Sequence, residues 1–152
     1  MTEQSIVAHL RDEQMEFASA EWLTYLKKLF LARAATNPKT VDGVTCEVYR
    51  NPPAHLLPAG KSVLAWTRTI RNGIATVSFE ECPNEDADVK LVADYDALLP
   101  LARFIVTEEN EAAFIGAMDE AVREGRVTVV RETRSDQPRD YTIHNLIGAL
   151  TR

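Results

Sequence analysis

At 152 residues, with 45% hydrophobic and 26% charged side chains, the chain is long enough to bury one sizeable core and ordinary for a globular protein. Its 17 Lys and Arg against 23 Asp and Glu give a formal net charge of −6, which argues against a nucleic-acid binder but leaves room for a local basic mouth for an anionic ligand. No apolar run approaches the ~20 residues that a membrane span needs, and MTEQSIVAHLRDEQ lacks the basic start and apolar run of a secretory signal, so a cytoplasmic protein with no stable membrane insertion is expected.

Residues Ser5 to Ala35 read as helix, with a break near Ala18 to Ala20. Trp22, Leu26, Leu29 and Phe30 share one face at helical spacing, while Lys27 and Lys28 fall outside it. Asn37-Pro38 stops this helix, because proline disfavours helical geometry in the residue before it. A helical segment over 1–38 and a domain over 39–152, together one compact unit, is the expected organisation. Gly43 to Arg50 alternates Val44, Cys46 and Val48 against Thr45, Glu47 and Tyr49, and is a strand. The following NPPAHLLPAG is too rich in proline to extend a sheet.

Lys61 to Ile70 and Ile74 to Glu80 flank Arg71-Asn72-Gly73. Asn-Gly tolerates the positive φ angles of a type I′ turn and predicts a β-hairpin. After a polar turn at Cys82 to Glu85, Asp86 to Ala93 alternates again. Ala87, Val89, Leu91 and Ala93 take one face, and Asp86, Asp88, Lys90 and Val92 take the other. At Asp94, placed as an N-cap, the period becomes helical, with Tyr95, Leu98, Leu99 and Ala102 recurring. Thr107 is expected to cap the next helix, whose buried stripe is Phe114, Ile115, Met118, Ala121 and Val122 and which Gly125 ends. Arg126 to Arg131 is a fifth strand, Glu132 to Arg139 a charged loop, and Asp140 the cap of a last helix with Ile143, Leu146, Ile147 and Leu150 on one face. One helix, four strands, two helices, a strand and a helix predict an α+β fold. Its five-stranded, mostly antiparallel sheet is covered on one face by helices.

Motifs for catalysis are absent: no Gly-rich phosphate loop, no GxSxG, no HExxH. His9, His55 and His144 fall in three elements without ligand spacing, so no metal and no cofactor is expected. Cys46 reads as a small core residue, and Cys82, beside Glu81 and Glu85, as a poor thiolate; free thiols fit a reducing compartment. Asp86 and Asp88 read as a solvated face. Large apolar residues remain in every element: Trp66, Phe79, Phe104, Phe114, Met118, Ile143, Leu146, Ile147 and Leu150. They either fill the core or shield a cavity. The terminal helix suits either a fixed core helix or a lid.

The hairpin WTRTIRNGIATVSFE (Trp66 to Glu80), the segment DADVKLVADYDALLPLAR (Asp86 to Arg103) and GRVTVVRE (Gly125 to Glu132) resemble the SCP2-type sterol carrier family of lipid-binding domains. The resemblance runs over roughly residues 40 to 150. It implies an SCP2-like sheet covered by helices, with an apolar tunnel for a lipid, sterol or fatty acyl ligand lined by the nine apolar residues just named. Phe104 stands where the family has glycine after LAR, and Glu132-Thr133 where it has Gly-Asp. Both departures fall at the tunnel mouth and the hinge of the last helix. A non-catalytic carrier is the leading expectation. An enzyme acting on a lipid-, steroid- or polyketide-like substrate in the same cavity is the alternative, with Asp94, His55 and His144 as candidates. The N-terminal helix, through Trp22, Leu26 and Phe30, is a candidate homodimer contact.

Overall fold

Asn72 and Gly73, at φ +53° and +76°, form the tight turn that joins strands β2 (Val63–Arg71) and β3 (Ile74–Ser78). A side chain at the second position would be strained there, which is why glycine occupies it. The structure, a computed structural model, describes residues 14–37, 39–137 and 139–152. His9 and the part of the expected N-terminal helix before residue 14 lie outside them.

β1 (Gly43–Arg50) pairs antiparallel with β2, setting Glu47 opposite Trp66 and Tyr49 opposite Leu64. Its other neighbour is β4 (Val89–Asp94), which runs parallel to it, and β5 (Val127–Glu132) closes the far edge antiparallel to β4. The order is β3-β2-β1-β4-β5, so the expected five-stranded, mostly antiparallel sheet is present, with one parallel pairing at its centre. Among the described residues four α-helices complete the α+β fold: α1 (Ala20–Thr36), α2 (Tyr95–Arg103), α3 (Glu111–Arg123) and α4 (Thr142–Gly148).

The helix expected from Ser5 begins, within the described residues, only at Ala20. Ala18 sits at φ +59°, and Ser19 caps α1 by accepting the Trp22 N–H at 3.2 Å. The chain before the cap is drawn into the core instead. Phe17 packs 5.0 Å from the Trp22 ring and 5.1 Å from both Tyr49 and Tyr95, and the Tyr95 hydroxyl donates to the Phe17 carbonyl at 2.8 Å. Met15 bridges to Thr151: its N–H donates to the Leu150 carbonyl at 2.6 Å, and its carbonyl accepts from Arg152 at 2.8 Å. The two ends of the described chain are thereby tied together.

α1 lays Trp22, Leu26, Leu29 and Phe30 against the sheet, and these residues share one hydrophobic core with Tyr49, Leu64, Trp66, Leu98, Leu101, Phe114 and Ile147. The stripe considered above as a dimer contact is therefore spent on the protein's own core. The opposite face of the sheet carries a small second core of Cys46, Val48 and Ala65, with Val63, Cys82 and Val92 packed on it. Cys46 is fully buried there, as expected of a small core residue.

Four local expectations are corrected. Lys90, assigned by alternation to a polar face, is 1% exposed, because the chain at Glu81 and Cys82 covers that face of β4. Its ammonium donates to Glu81 Oε2 at 2.6 Å and to the Cys82 carbonyl at 2.7 Å, the pairing that a buried cation requires. Asp94 occupies the N-cap position of α2 but makes no capping bond; its carboxylate lies 3.1 Å from Arg50 instead. Tyr141, rather than Asp140, is the N-cap residue of α4; Asp140, one residue earlier, accepts from the Thr142 N–H at 3.1 Å and the Thr142 hydroxyl at 2.6 Å, while Arg33 pairs with it at 3.0 Å. Asn110, rather than Thr107, is the cap residue of α3, and the two brace each other: Thr107 N–H donates to Asn110 Oδ1 at 2.6 Å.

Candidate functional site: a cavity between sheet and helices

In β1 the residues turned toward the helices are Thr45, Glu47 and Tyr49, and Trp66 and Arg68 of β2 stand beside them. Between this floor and the helices lies a cavity of about 300 Å³. That volume sits at the lower bound of ligand pockets, roughly 300–1,000 Å³. Trp22, Leu26 and Phe30 of α1 form one wall. Leu98, Leu101 and Ala102 of α2, with Phe114 and Met118 of α3, form another. Ile143, His144 and Ile147 of α4 close the third side.

The floor is not apolar throughout. Trp66 Nε1–H donates to the Tyr49 hydroxyl at 2.7 Å, and that hydroxyl donates to Glu47 Oε1 at 2.8 Å. Glu47 is half-buried and lines the cavity. Burial raises its carboxyl above the ordinary glutamate value of 4.5, against the opposing pull of the Tyr49 hydrogen bond and the Arg68 charge. Burial, and then the nearby Glu47 charge, push the Tyr49 phenol well above its usual range. Arg68 donates from Nη2 to Thr45 Oγ1 at 3.2 Å and lies 4.8 Å over the Phe30 ring, a cation–π contact.

His144 presents a second polar atom to the cavity. Its Nε2–H donates to the Phe104 carbonyl at 2.7 Å, so the neutral ring keeps its proton on Nε2 and leaves Nδ1 as an acceptor. Burial lowers its pKa below 6.5, which favours that neutral form. The imidazole packs edge-on to Phe114 at 5.1 Å.

α4 is clamped over the cavity. The Asn145 side chain makes two bonds to the Val106 backbone, accepting at 2.8 Å and donating at 2.9 Å. A Cβ at Gly148 would come within 2.9 Å of the Ala102 carbonyl, so only glycine allows this close approach to the end of α2. Beyond the helix, Thr151 Oγ1 accepts from Trp22 Nε1 at 2.9 Å and donates to the Ile147 carbonyl at 2.7 Å.

Of the nine apolar residues singled out in the sequence, Trp66, Phe114, Met118, Ile143 and Ile147 line this cavity. Phe104, Leu146 and Leu150 pack in the surrounding core, and Phe79 is 42% exposed with the Lys27 ammonium 6.0 Å from its ring. Among the enzyme candidates, His144 reaches the cavity; Asp94 pairs with Arg50, and His55, on the surface, bonds Glu16 at 2.7 Å. Sequence reasoning missed Glu47, Tyr49 and Arg68. The signal was the alternation of β1, which separates its two faces without saying which one meets the helices. The Cys82 thiol is raised as expected, but by burial and the neighbouring Cys46 rather than by the acids beside it in sequence.

A second cavity of about 290 Å³ shares Phe30, Arg68 and Asp140 with the first and adds Arg33, Lys39 and Arg134. It forms a basic bay beside the apolar chamber. Among the described residues no cluster of His, Cys, Asp and Glu could hold a metal ion, and no helix is long and apolar enough to cross a membrane.

Neither a protein-family model nor a curated protein matches the sequence. Two solved structures align along most of it. One is the solution structure of a conserved hypothetical protein from Thermus thermophilus, described as a possible sterol carrier protein. It has 14% identity and a TM-score of 0.42, over 91% of this chain and 90% of that one. The other is the solution structure of palmitated SCP2L2 from Aedes aegypti. It has 12% identity and a TM-score of 0.40, over 85% of this chain and 94% of that one.

Proposed function

We propose that the protein is a small carrier that holds a lipid, sterol or acyl-chain ligand in the cavity between sheet and helices. The observation that carries this reading is the cavity itself: about 300 Å³, walled by apolar side chains from the sheet and all four helices. Filled with water, it would hold about ten molecules at ~30 Å³ each, most of them facing hydrocarbon. Replacing them with a ligand gains ~0.8 kcal/mol per buried CH₂, so a chain of about ten methylenes gains roughly 8 kcal/mol before the costs of association.

Displacement of a fluorescent fatty acid, with native mass spectrometry of gently purified protein, tests this. Micromolar binding is expected, and Ile143→Trp, which fills the cavity from α4, should weaken it at least tenfold while leaving the fold intact. Absence of both displacement and bound lipid at micromolar concentrations would sink the carrier.

A second reading, an enzyme acting on a lipid-, steroid- or polyketide-like substrate, draws on one observation: His144 and Glu47 both line the same cavity. A titratable pair in an apolar chamber suits proton transfer. Turnover abolished by Glu47→Gln with ligand affinity retained would favour this reading over the carrier.

A further inference from the structure

Glu47 is a carboxyl group in a mostly apolar chamber that it shares with Arg68, Asp140 and His144, and half of it is unused. Oε1 accepts the Tyr49 hydroxyl, whereas Oε2 has no hydrogen-bond partner among the described residues. The polar groups beside it are turned to other partners or stand off from it. The Tyr49 hydroxyl has already donated its proton to Oε1 and accepts from Trp66. Arg68 sends Nη2 to Thr45 and stacks on Phe30, so it tempers the Glu47 charge from a distance without forming an ion pair with it. Glu47 lines the cavity, so an acceptor left open there faces a ligand-sized space and is a place for a ligand atom.

We propose that Glu47 Oε2 anchors the polar end of the bound ligand, and that this end is a neutral oxygen function, a hydroxyl or carbonyl, set inward against the sheet. The proposal rests on the carrier reading and specifies its ligand. A hydroxyl is served in either protonation state, donating to the carboxylate or accepting from the carboxyl. A carbonyl is served by the carboxyl, which donates from Oε2. The raised pKa keeps that form present to higher pH than an exposed glutamate would. A ligand carboxylate would meet like charge at Oε2. Its better partners are the guanidinium groups of the basic bay, Arg68 and Arg134 among them, which would reverse its orientation.

The test is displacement of Nile red, a neutral apolar dye, by two ligands of matched length, 1-dodecanol and 1-chlorododecane. Wild-type protein should bind the alcohol about tenfold more tightly, equal to ~1.4 kcal/mol. Glu47→Leu should bring both ligands to the chlorododecane level while Nile red still binds, and Glu47→Gln, whose amide can donate and accept, should keep most of the preference. In wild-type protein labelled with ¹³C at glutamate, the Glu47 side-chain resonance should move on adding 1-dodecanol and stay put with 1-chlorododecane. This second measurement needs no variant to fold. An unmoved resonance, or equal affinity for the two ligands while Nile red binds, overturns the inward anchor alone. Failure of Nile red to bind the wild type overturns the carrier, and the anchor with it.

Discussion

Replacing Thr151 by valine removes a hydroxyl and adds a methyl group, changing shape very little. The hydroxyl is the acceptor for Trp22 Nε1–H at 2.9 Å and the donor to the Ile147 carbonyl at 2.7 Å, and both Trp22 and Thr151 are 4% exposed. The Ile147 carbonyl keeps a second donor, the Leu150 N–H at 3.0 Å, so its loss is small. The indole N–H has no other partner and is left buried and unpaired, at about 1–3 kcal/mol. A total near 2 kcal/mol corresponds to a fall in Tm of about 4–8 °C for a chain of this length. Urea unfolding followed by tryptophan fluorescence gives the free energy, and amide hydrogen exchange over 142–151 reports whether α4 loosens. A loss under about 0.5 kcal/mol would mean that the Trp22 N–H finds water, and that the end of the chain does not seal the core as described.

Two further outcomes follow from buried ionisable groups. Glu47 is protonated more readily folded than unfolded, so its contribution is intact below the ordinary value of 4.5 and is lost as pH rises through its raised folded pKa. Glu47→Gln should therefore gain Tm relative to wild type between pH 4.5 and 8, with no difference near pH 4. The other groups lining the cavity (Tyr49, Arg68, Asp140 and His144) are common to both proteins, and a pH-independent gap would refute the assignment. On the opposite face, Lys90 is buried while the side chain of its partner Glu81 is 47% exposed. Lys90→Met releases Glu81 to water and should cost less than about 1 kcal/mol. Glu81→Ala strands a buried ammonium and should cost about 2–3 kcal/mol, less than the ~3–5 of a fully buried pair. Urea midpoints with the order reversed would show that the Cys82 carbonyl alone satisfies Lys90.

The hairpin was legible because Asn72-Gly73 carries its own backbone geometry, and the order of elements because each change from period two to helical spacing is local. The two faces of β1 were not legible in the same way. Val44, Cys46 and Val48 look like the inward set, yet Cys46 and Val48 belong to the small second core, and Glu47 and Tyr49 line the cavity under the helices. Local hydrophobicity cannot decide between two faces that are both covered. The decision belongs to pairing: the register sets Glu47 opposite Trp66 and Tyr49 opposite Leu64, and these large residues need the thick layer that α1 supplies. Lys90 escaped for the same reason, since the chain that covers it, Glu81 and Cys82, lies in a turn whose packing no periodicity reports. The apolar stripe of α1 was visible, but its destination was not.

The distribution of bonds around α4 decides how the cavity can open. Lifting the helix bodily breaks the two Asn145–Val106 bonds, the His144–Phe104 bond and the Trp22–Thr151 bond, of which the last is fully buried. At about 0.5–1.5 kcal/mol net each, with more for any group left unpaired, that motion costs several kcal/mol. At the start of the helix the tie to α1 is the Arg33–Asp140 ion pair, with side chains 31% and 52% exposed, and exposed pairs contribute only ~0–1 kcal/mol. Asp140 and Arg68 also stand where the apolar chamber meets the basic bay. The inexpensive opening is therefore at the bay, between Arg33 and Asp140, with the rest of α4 staying in place as core. In hydrogen exchange this appears as protection that persists through 145–151 while 139–142 exchange early; uniform exchange along the helix would make it a lid.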